Sequence, residues 1–527
     1  MRQLQSMLLR LVCAVSLVRC SRRTLLILAS AIGLGAMEAG ASDAETIGLT
    51  AMRRERPSIT GAGIPVAQPE GQEATNAWQA NPVLNASAVF TWTSDLGTAT
   101  NFPNSVGVES GHANGVGTFF YSTSTGVAPG VSRVDNYDAD YFINTVVMGQ
   151  QPIKGQVVNQ SFISLLPSST IDPSYDSYAA MYNVLFVSGM NNVPDTPHPP
   201  GTAYNGMGVG FILSGAQSSV GPTVDGRAKP DMVAPQCCSS FSTPLVAGAA
   251  ALLLQAGAAN DGGGGTASMA TNSVTVKALL LNGAVKTTNW TNGVTRPLDA
   301  RYGAGVLNIY NSDLQLRGGR RAAIATNSVS LNAPHPPTGD ASNMASLRGW
   351  DFSSIQSSLL NDRVAHYYFN LPTNSAIYSA TATLVWKKSS GPLANLDLFL
   401  YDTRGNTLVT QSVSSVDNVQ HIFIPTLAGG RYDLQVLKHG GIGQSGAESY
   451  ALAFDFSPVK LTTGRNGTNI VIAWPASPAG FALQGATSLS TPISWQTVTN
   501  ESVLSNSMST VTVSTSATMQ FFRLFRP

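Results

Sequence analysis

Between Asp231 and Asp261 the chain carries no charged residue, and PLVAGAAALLLQAG, residues 244–257, is apolar or small at almost every position. A helix without a polar face cannot lie at a surface, so this segment predicts a helix enclosed by the rest of a large domain. Ser240 stands in CCSSFST just ahead of it. The first turn of a helix offers unpaired backbone N–H groups and the positive end of the helix dipole, which favour a developing oxyanion. Ser240 is therefore a candidate nucleophile.

The segments around this helix alternate short apolar runs with small-residue helices from about residue 58 to residue 313. IPVAQPE, INTVVMG, GQVVNQSFI and YNVLFVSG read as strands, and SVTVKALLLNGAVK reads as a second buried helix. The alternation predicts an α/β domain with a mostly parallel central sheet flanked by helices. Residues 314–345, rich in Arg, Asn and Pro without sustained periodicity, read as a linker. Beyond them period-two alternation takes over in VAHYYFNL, ATATLVWKK, LDLFLYD, RYDLQVLK and YALAFDF, which predicts a β-sandwich over 346–457. NIVIAWP, STVTVST and MQFFRLF repeat the habit in a small C-terminal β domain, 458–527. At 527 residues, this division into one α/β domain and two all-β domains is what chain length leads one to expect.

Charged residues make up 11% of the chain and the net charge is +1, so no basic surface for nucleic acid is expected. Arg19, Arg22 and Arg23 precede an apolar stretch from Leu25 to Met37 and then Ala39-Gly40-Ala41. This is the pattern of a signal peptide over residues 1–41, with 42–57 as an N-terminal segment and SRRTLLI resembling a twin-arginine export signal. A secreted or cell-envelope (periplasmic) protein is expected, with no stable membrane span after signal removal and as a monomer. Removal of the signal would leave Cys237 and Cys238 as the cysteines of the mature chain, too few for a disulfide framework.

Serine chemistry needs a base within hydrogen-bond reach and an acid to orient it. Of the 6 histidines, His112 in SGHANGVG stands where a small-residue helix should begin. His198 lies in a proline-rich loop, and His335, His366, His421 and His439 fall beyond the first domain.

With these residues in place, the chain resembles a subtilisin-like serine peptidase, a subtilase. SGHANGVG is similar to that family's HGTHVAG, GVAPGV to GVAPxA, SSFSTPLVAGAAALL to TSMATPHVAGAAALL, and SSVGPTVDGRAKPDMVAP to SSRGPTxDGRxKPDIVAPG. The resemblance implies a subtilisin-like catalytic domain over 58–313 and a secreted serine endopeptidase working through an acyl-enzyme on protein or peptide substrates. It places His112 at the base and Ser240 at the nucleophile, and makes Ser161 of VVNQSFI a main-chain contact to substrate. Asn191 of LFVSGMNN falls at the side-chain donor of the oxyanion hole, with Asn192 as the one-residue alternative. The family's acid is an Asp ending the first core strand. GIPVAQPEG has Glu70 there, and Asp95 in WTSDLG is the fallback. A silenced scaffold acting as an exported binding or surface protein is the alternative. Residues 346–457 resemble the bacterial pre-peptidase C-terminal domain through LDLFLYD and AGGRYDLQV. No cofactor is required for this chemistry. Asp397 and Asp402 carry the oxygen ligands that a structural calcium ion takes, with turn and edge duty as the plainer reading.

Overall fold

The computed structural model describes residues 42–213, 216–287, 289–337, 346–373, 377–389, 391–466, 469–475, 480–505, 508–514 and 520–525. The expected signal peptide, 1–41, lies outside the described residues, as does part of the expected linker.

The first domain is built on a sheet of β1 (Pro65–Glu70), β2 (Val89–Ser94), β3 (Gly97–Ala99), β4 (Arg133–Asp138), β5 (Val157–Gln160), β6 (Leu185–Gly189), β7 (Met207–Leu213), β8 (Ala216–Gln217) and β9 (Met232–Ala234). Their order is β8-β7-β6-β5-β1-β4-β2-β3, with β9 beside β7. All pairs are parallel except the edge pairs β2–β3 and β7–β8. Chain order reverses across β1, where β4 pairs on one side and β5 on the other. In a sheet of this kind a crevice opens at that reversal, beyond the carboxyl ends of the strands.

Two segments depart from the sequence expectation. INTVVMG is helical: Phe142–Val147 continues the short helix Ala139–Tyr141, with Phe142, Ile143, Val146 and Val147 buried. Its apolar residues recur at helical spacing, and the strand at this point in the chain is β4, whose RVDNYD is too polar to announce itself. Residues 314–345 are not wholly linker. The helix Ile309–Arg317 takes their start, and Ala325–Ser330 is a strand of the sandwich.

Four helices of the first domain matter here: α1 (Gly111–Phe120), α2 (Ser168–Tyr182), α3 (Ser239–Ala258) and α4 (Ser273–Gly283). Helix α3 is long and apolar enough to cross a membrane, yet most of it is buried inside the protein, against β5, β6, β7, α1 and α4. Gly248 lets it close on the segment after α1: a Cβ there would stand 2.5 Å from Val127 Cβ and 3.4 Å from the Phe120 carbonyl oxygen. A second tie is ionic. Buried Asp231 accepts from Gly208 N at 2.7 Å and meets Lys229 and, at 3.0 Å, Lys277 Nζ on α4. Burial alone would raise its pKa, but the two ammonium groups outweigh it and hold the carboxyl below its usual value. The GRAKPDMVAP segment thereby binds β9, β7 and α4 together.

The sandwich consists of a five-stranded and a four-stranded antiparallel sheet. In the four-stranded one, Arg348–Ser357, Gly446–Asp455, Tyr378–Trp386 and Val419–Leu427 lie side by side. Its outer face rests on α4, so Trp350, Val385, Val419, Ala451 and Ala453 belong to the same apolar core as the first domain. Asn282 Oδ1 on α4 accepts from Thr381 and Thr383 at 3.0 and 2.9 Å. The C-terminal β unit has a small core of its own around Ile472, Trp474, Leu483 and Val511.

Replacing a helical glycine with alanine ordinarily stabilises by about 1 kcal/mol. At Gly248 the sign should reverse, because overpacking of this closeness costs about 1–3 kcal/mol. Thermal melts of Gly248→Ala should show a lowered Tm, and a raised one would contradict the packing described.

Candidate active site

Glu70 is the last residue of β1, and His112 is the second residue of α1. His112 Nδ1 and Glu70 Oε2 are 2.8 Å apart, both side chains almost wholly buried. Of the two carboxylates weighed from the sequence, Glu70 is the one that meets the imidazole. Asp95 lies exposed in the turn between β2 and β3.

The longer side chain of glutamate is fixed at both oxygens. Gln68, two residues earlier on the same face of β1, donates through Nε2 to Glu70 Oε1 at 2.8 Å and to the Ala113 carbonyl of α1 at 2.9 Å. Its Oε1 accepts from the Tyr121 hydroxyl. Strand alternation and an amide with both ends occupied thus tie the carboxylate to the helix that carries the histidine. Sequence reasoning missed Gln68 and Tyr121; the i, i+2 spacing of Gln68 and Glu70 was the available signal.

Burial disfavours a charged His112 ring. The adjacent Glu70 carboxylate, with a smaller contribution from Glu73, outweighs burial and raises the imidazole pKa above its ordinary value. A raised folded-state value stabilises the fold fully below about pH 6.5, and that contribution is lost as pH rises through the folded value.

Ser240 is the second residue of α3 and half-buried. Its carbonyl accepts from the Ser161 hydroxyl at 2.8 Å, and Asn159 Nδ2 donates to that hydroxyl at 3.0 Å, so the residues at the end of β5 hold the turn that presents Ser240. Burial pushes the pKa of the neighbouring Cys238 thiol up. The Phe241 ring stacks near His112, with centroids 6.2 Å apart.

The two asparagines after β6 are told apart by their partners. Asn191 Nδ2 donates to Asp195 Oδ2 at 2.6 Å, a carboxylate that also meets His198 Nε2 at 3.1 Å and accepts from the Ser219 hydroxyl at 2.7 Å. Asn192 Oδ1 accepts from the Ser239 backbone N–H at 2.8 Å and from its hydroxyl at 2.9 Å. A backbone N–H can only donate, so the atom facing it is the amide oxygen, and the planar amide then fixes the direction of Nδ2. Of the two asparagines, Asn192 is the amide held beside the turn that opens α3.

Elsewhere the other expected residues find different company. Asp397 meets His439 Nε2 at 2.8 Å and Asp402 accepts from Arg404 N at 2.8 Å. Among the described residues no group of three or more His, Cys, Asp or Glu comes together as a metal site.

No family model matches this sequence, and no curated protein does. Solved structures similar to it include fervidolysin from Fervidobacterium pennivorans, a keratinolytic enzyme related to subtilisin, at 13% identity over 91% of this chain and 82% of that one, TM-score 0.39. The PatG macrocyclase in complex with peptide is similar at 14% identity over 54% of this chain and 100% of that one, TM-score 0.38. The subtilisin-like protease Apa1 from the Antarctic psychrotroph Pseudoalteromonas sp. AS-11 is similar at 11% identity over 51% and 97%, TM-score 0.34.

In Glu70→Gln the attraction to the charged ring disappears while burial remains. Its His112 resonances should titrate below about 6.5, against a wild-type midpoint above that value. NMR titration of the two proteins checks this, and equal midpoints would contradict the pairing.

Proposed function

We propose that this chain is a subtilisin-like serine endopeptidase, exported by its N-terminal segment, in which Glu70, His112 and Ser240 form the triad. The observation that carries the proposal is the buried Glu70–His112 contact through Nδ1, which leaves Nε2 as the ring atom for a nucleophile, next to the helix start bearing Ser240. The acid, base and serine also follow one another in subtilase order.

In this mechanism the Ser240 hydroxyl turns to His112 Nε2, gives up its proton there and attacks the peptide carbonyl. The Glu70 carboxylate stabilises the imidazolium so formed. The Ser240 N–H at the start of α3 and Asn192 Nδ2 donate to the oxyanion, where such donors act more strongly on the transition state than on the ground state. His112 then protonates the leaving amine, and water releases the acyl group by the same steps in reverse. Because the base works in its neutral form, the rate should rise as pH passes the elevated His112 value. Proteins or peptides are the proposed substrates, and the active form is proposed to be a monomer.

One observation favours a second reading, a silenced scaffold: the Phe241 ring stacks near the histidine, with centroids 6.2 Å apart. A fluorophosphonate probe separates the two. Wild type should be labelled and Ser240→Ala should not; an unlabelled wild type, or labelling that survives Ser240→Ala, sinks the peptidase reading. In an active enzyme Asn192→Ala should lower kcat about 100-fold with KM little changed, whereas Asn191→Ala should lower it less. The reverse ranking would return the oxyanion role to Asn191.

A further inference from the structure

We propose that Glu73 is a positioning residue for His112, holding the first turn of α1 and keeping a second negative charge beside the base. The proposal rests on the reading of His112 as the base of a hydrolase and adds a residue that neither the resemblance nor the triad supplies.

Glu73 Oε2 accepts from the His112 backbone N–H at 3.1 Å and from the Ser110 hydroxyl at 2.9 Å. The same Ser110 oxygen accepts from Ala113 N at 3.1 Å, and the Ser110 carbonyl accepts from Asn114 N. The first N–H groups of a helix have no partner within it. Here a cap residue and an outside carboxylate share that work, and the carboxylate takes the N–H of the histidine itself. A Cβ on Gly111 would lie 3.6 Å from Glu73 Oε2, so the carboxylate rests against the opening of the helix.

The loop holding Glu73 is itself fixed. Glu73 N donates to the Ala77 carbonyl at 2.9 Å, and the preceding Gln72 donates through Nε2 to Asp138 Oδ2 at 2.7 Å, at the end of the neighbouring β4. The carboxylate is half-buried at the opening of α1.

The charges acting on the ring are few. Glu70 faces Nδ1 from β1, and Glu73 lies at the helix start. Helix α1 has no charged residue besides His112, and α3, which brings Phe241 to the ring, has none. The Ala77–Gln79 and Pro82–Asn85 segments packed on α1 are uncharged as well. Both carboxylates act on the imidazole in the same direction, against burial.

Glu73→Gln separates charge from geometry, because a glutamine oxygen can still accept from Ser110 and His112 N–H. The His112 midpoint, followed by NMR and assigned with His112→Ala, should fall by about half a pH unit in Glu73→Gln, and the acidic limb of kcat/KM on a peptide substrate should move with it. Glu109, which accepts from Asn114 and Asn81 at 2.7 and 3.1 Å, serves as a nearby control. Glu109→Gln should move the midpoint by no more than about 0.1 unit, since its carboxylate is exposed to solvent and salt. An unmoved midpoint in Glu73→Gln, or equal movement in both variants, overturns the proposal. A wild type that cleaves no peptide defeats the endopeptidase reading, while the NMR midpoints still decide what Glu73 does to the ring.

Discussion

Enclosure of helix α3 is the constraint on which the rest of the architecture depends. A helix of twenty residues without a charge has no face to give to water, so the sheet covers it on one side and α1 and α4 on the others. Because α4 is thereby committed to α3 with one face, its other face needs a cover, and the four-stranded sheet of the sandwich supplies it. The two units share a core rather than hanging from a linker. Trp350, at the seam, reaches Leu316 O through its indole N–H at 3.2 Å.

The same enclosure fixes the geometry of the candidate site. The start of α3 is set by its packing, Gly248 admits the chain after α1, and Phe241, next to Ser240, comes within stacking reach of His112. A short shift of either helix would separate them. Rigid elements, not loops, carry all three of Glu70, His112 and Ser240.

With so few charges in the chain, those that are buried are paired or hydrogen-bonded. Asp231 meets two lysines, and Glu70 meets an imidazole and an amide. An unpaired buried carboxylate would cost several kcal/mol, so such residues persist where the surrounding donors are held in place. Gln68 holds one oxygen of Glu70 while the histidine takes the other.

The sequence by itself determined the buried helix, the parallel sheet, the β-rich remainder, and His112 and Glu70 as residues to be brought together. These are signals of local pattern: an uncharged helix, alternation of strands, and a carboxylate at a strand end. It misread INTVVMG, a run too short for its helical spacing to stand out, and it chose Asn191 with Asn192 as the alternative because adjacent residues after a strand differ only in where their side chains point. That direction is set by Asp195 and Ser239, four and forty-seven residues away. The contact of Glu73 with the histidine's backbone was likewise decided by tertiary structure alone. Hydrogen bonds between elements depend on distances that only the packed core sets, and no local pattern of residues encodes them.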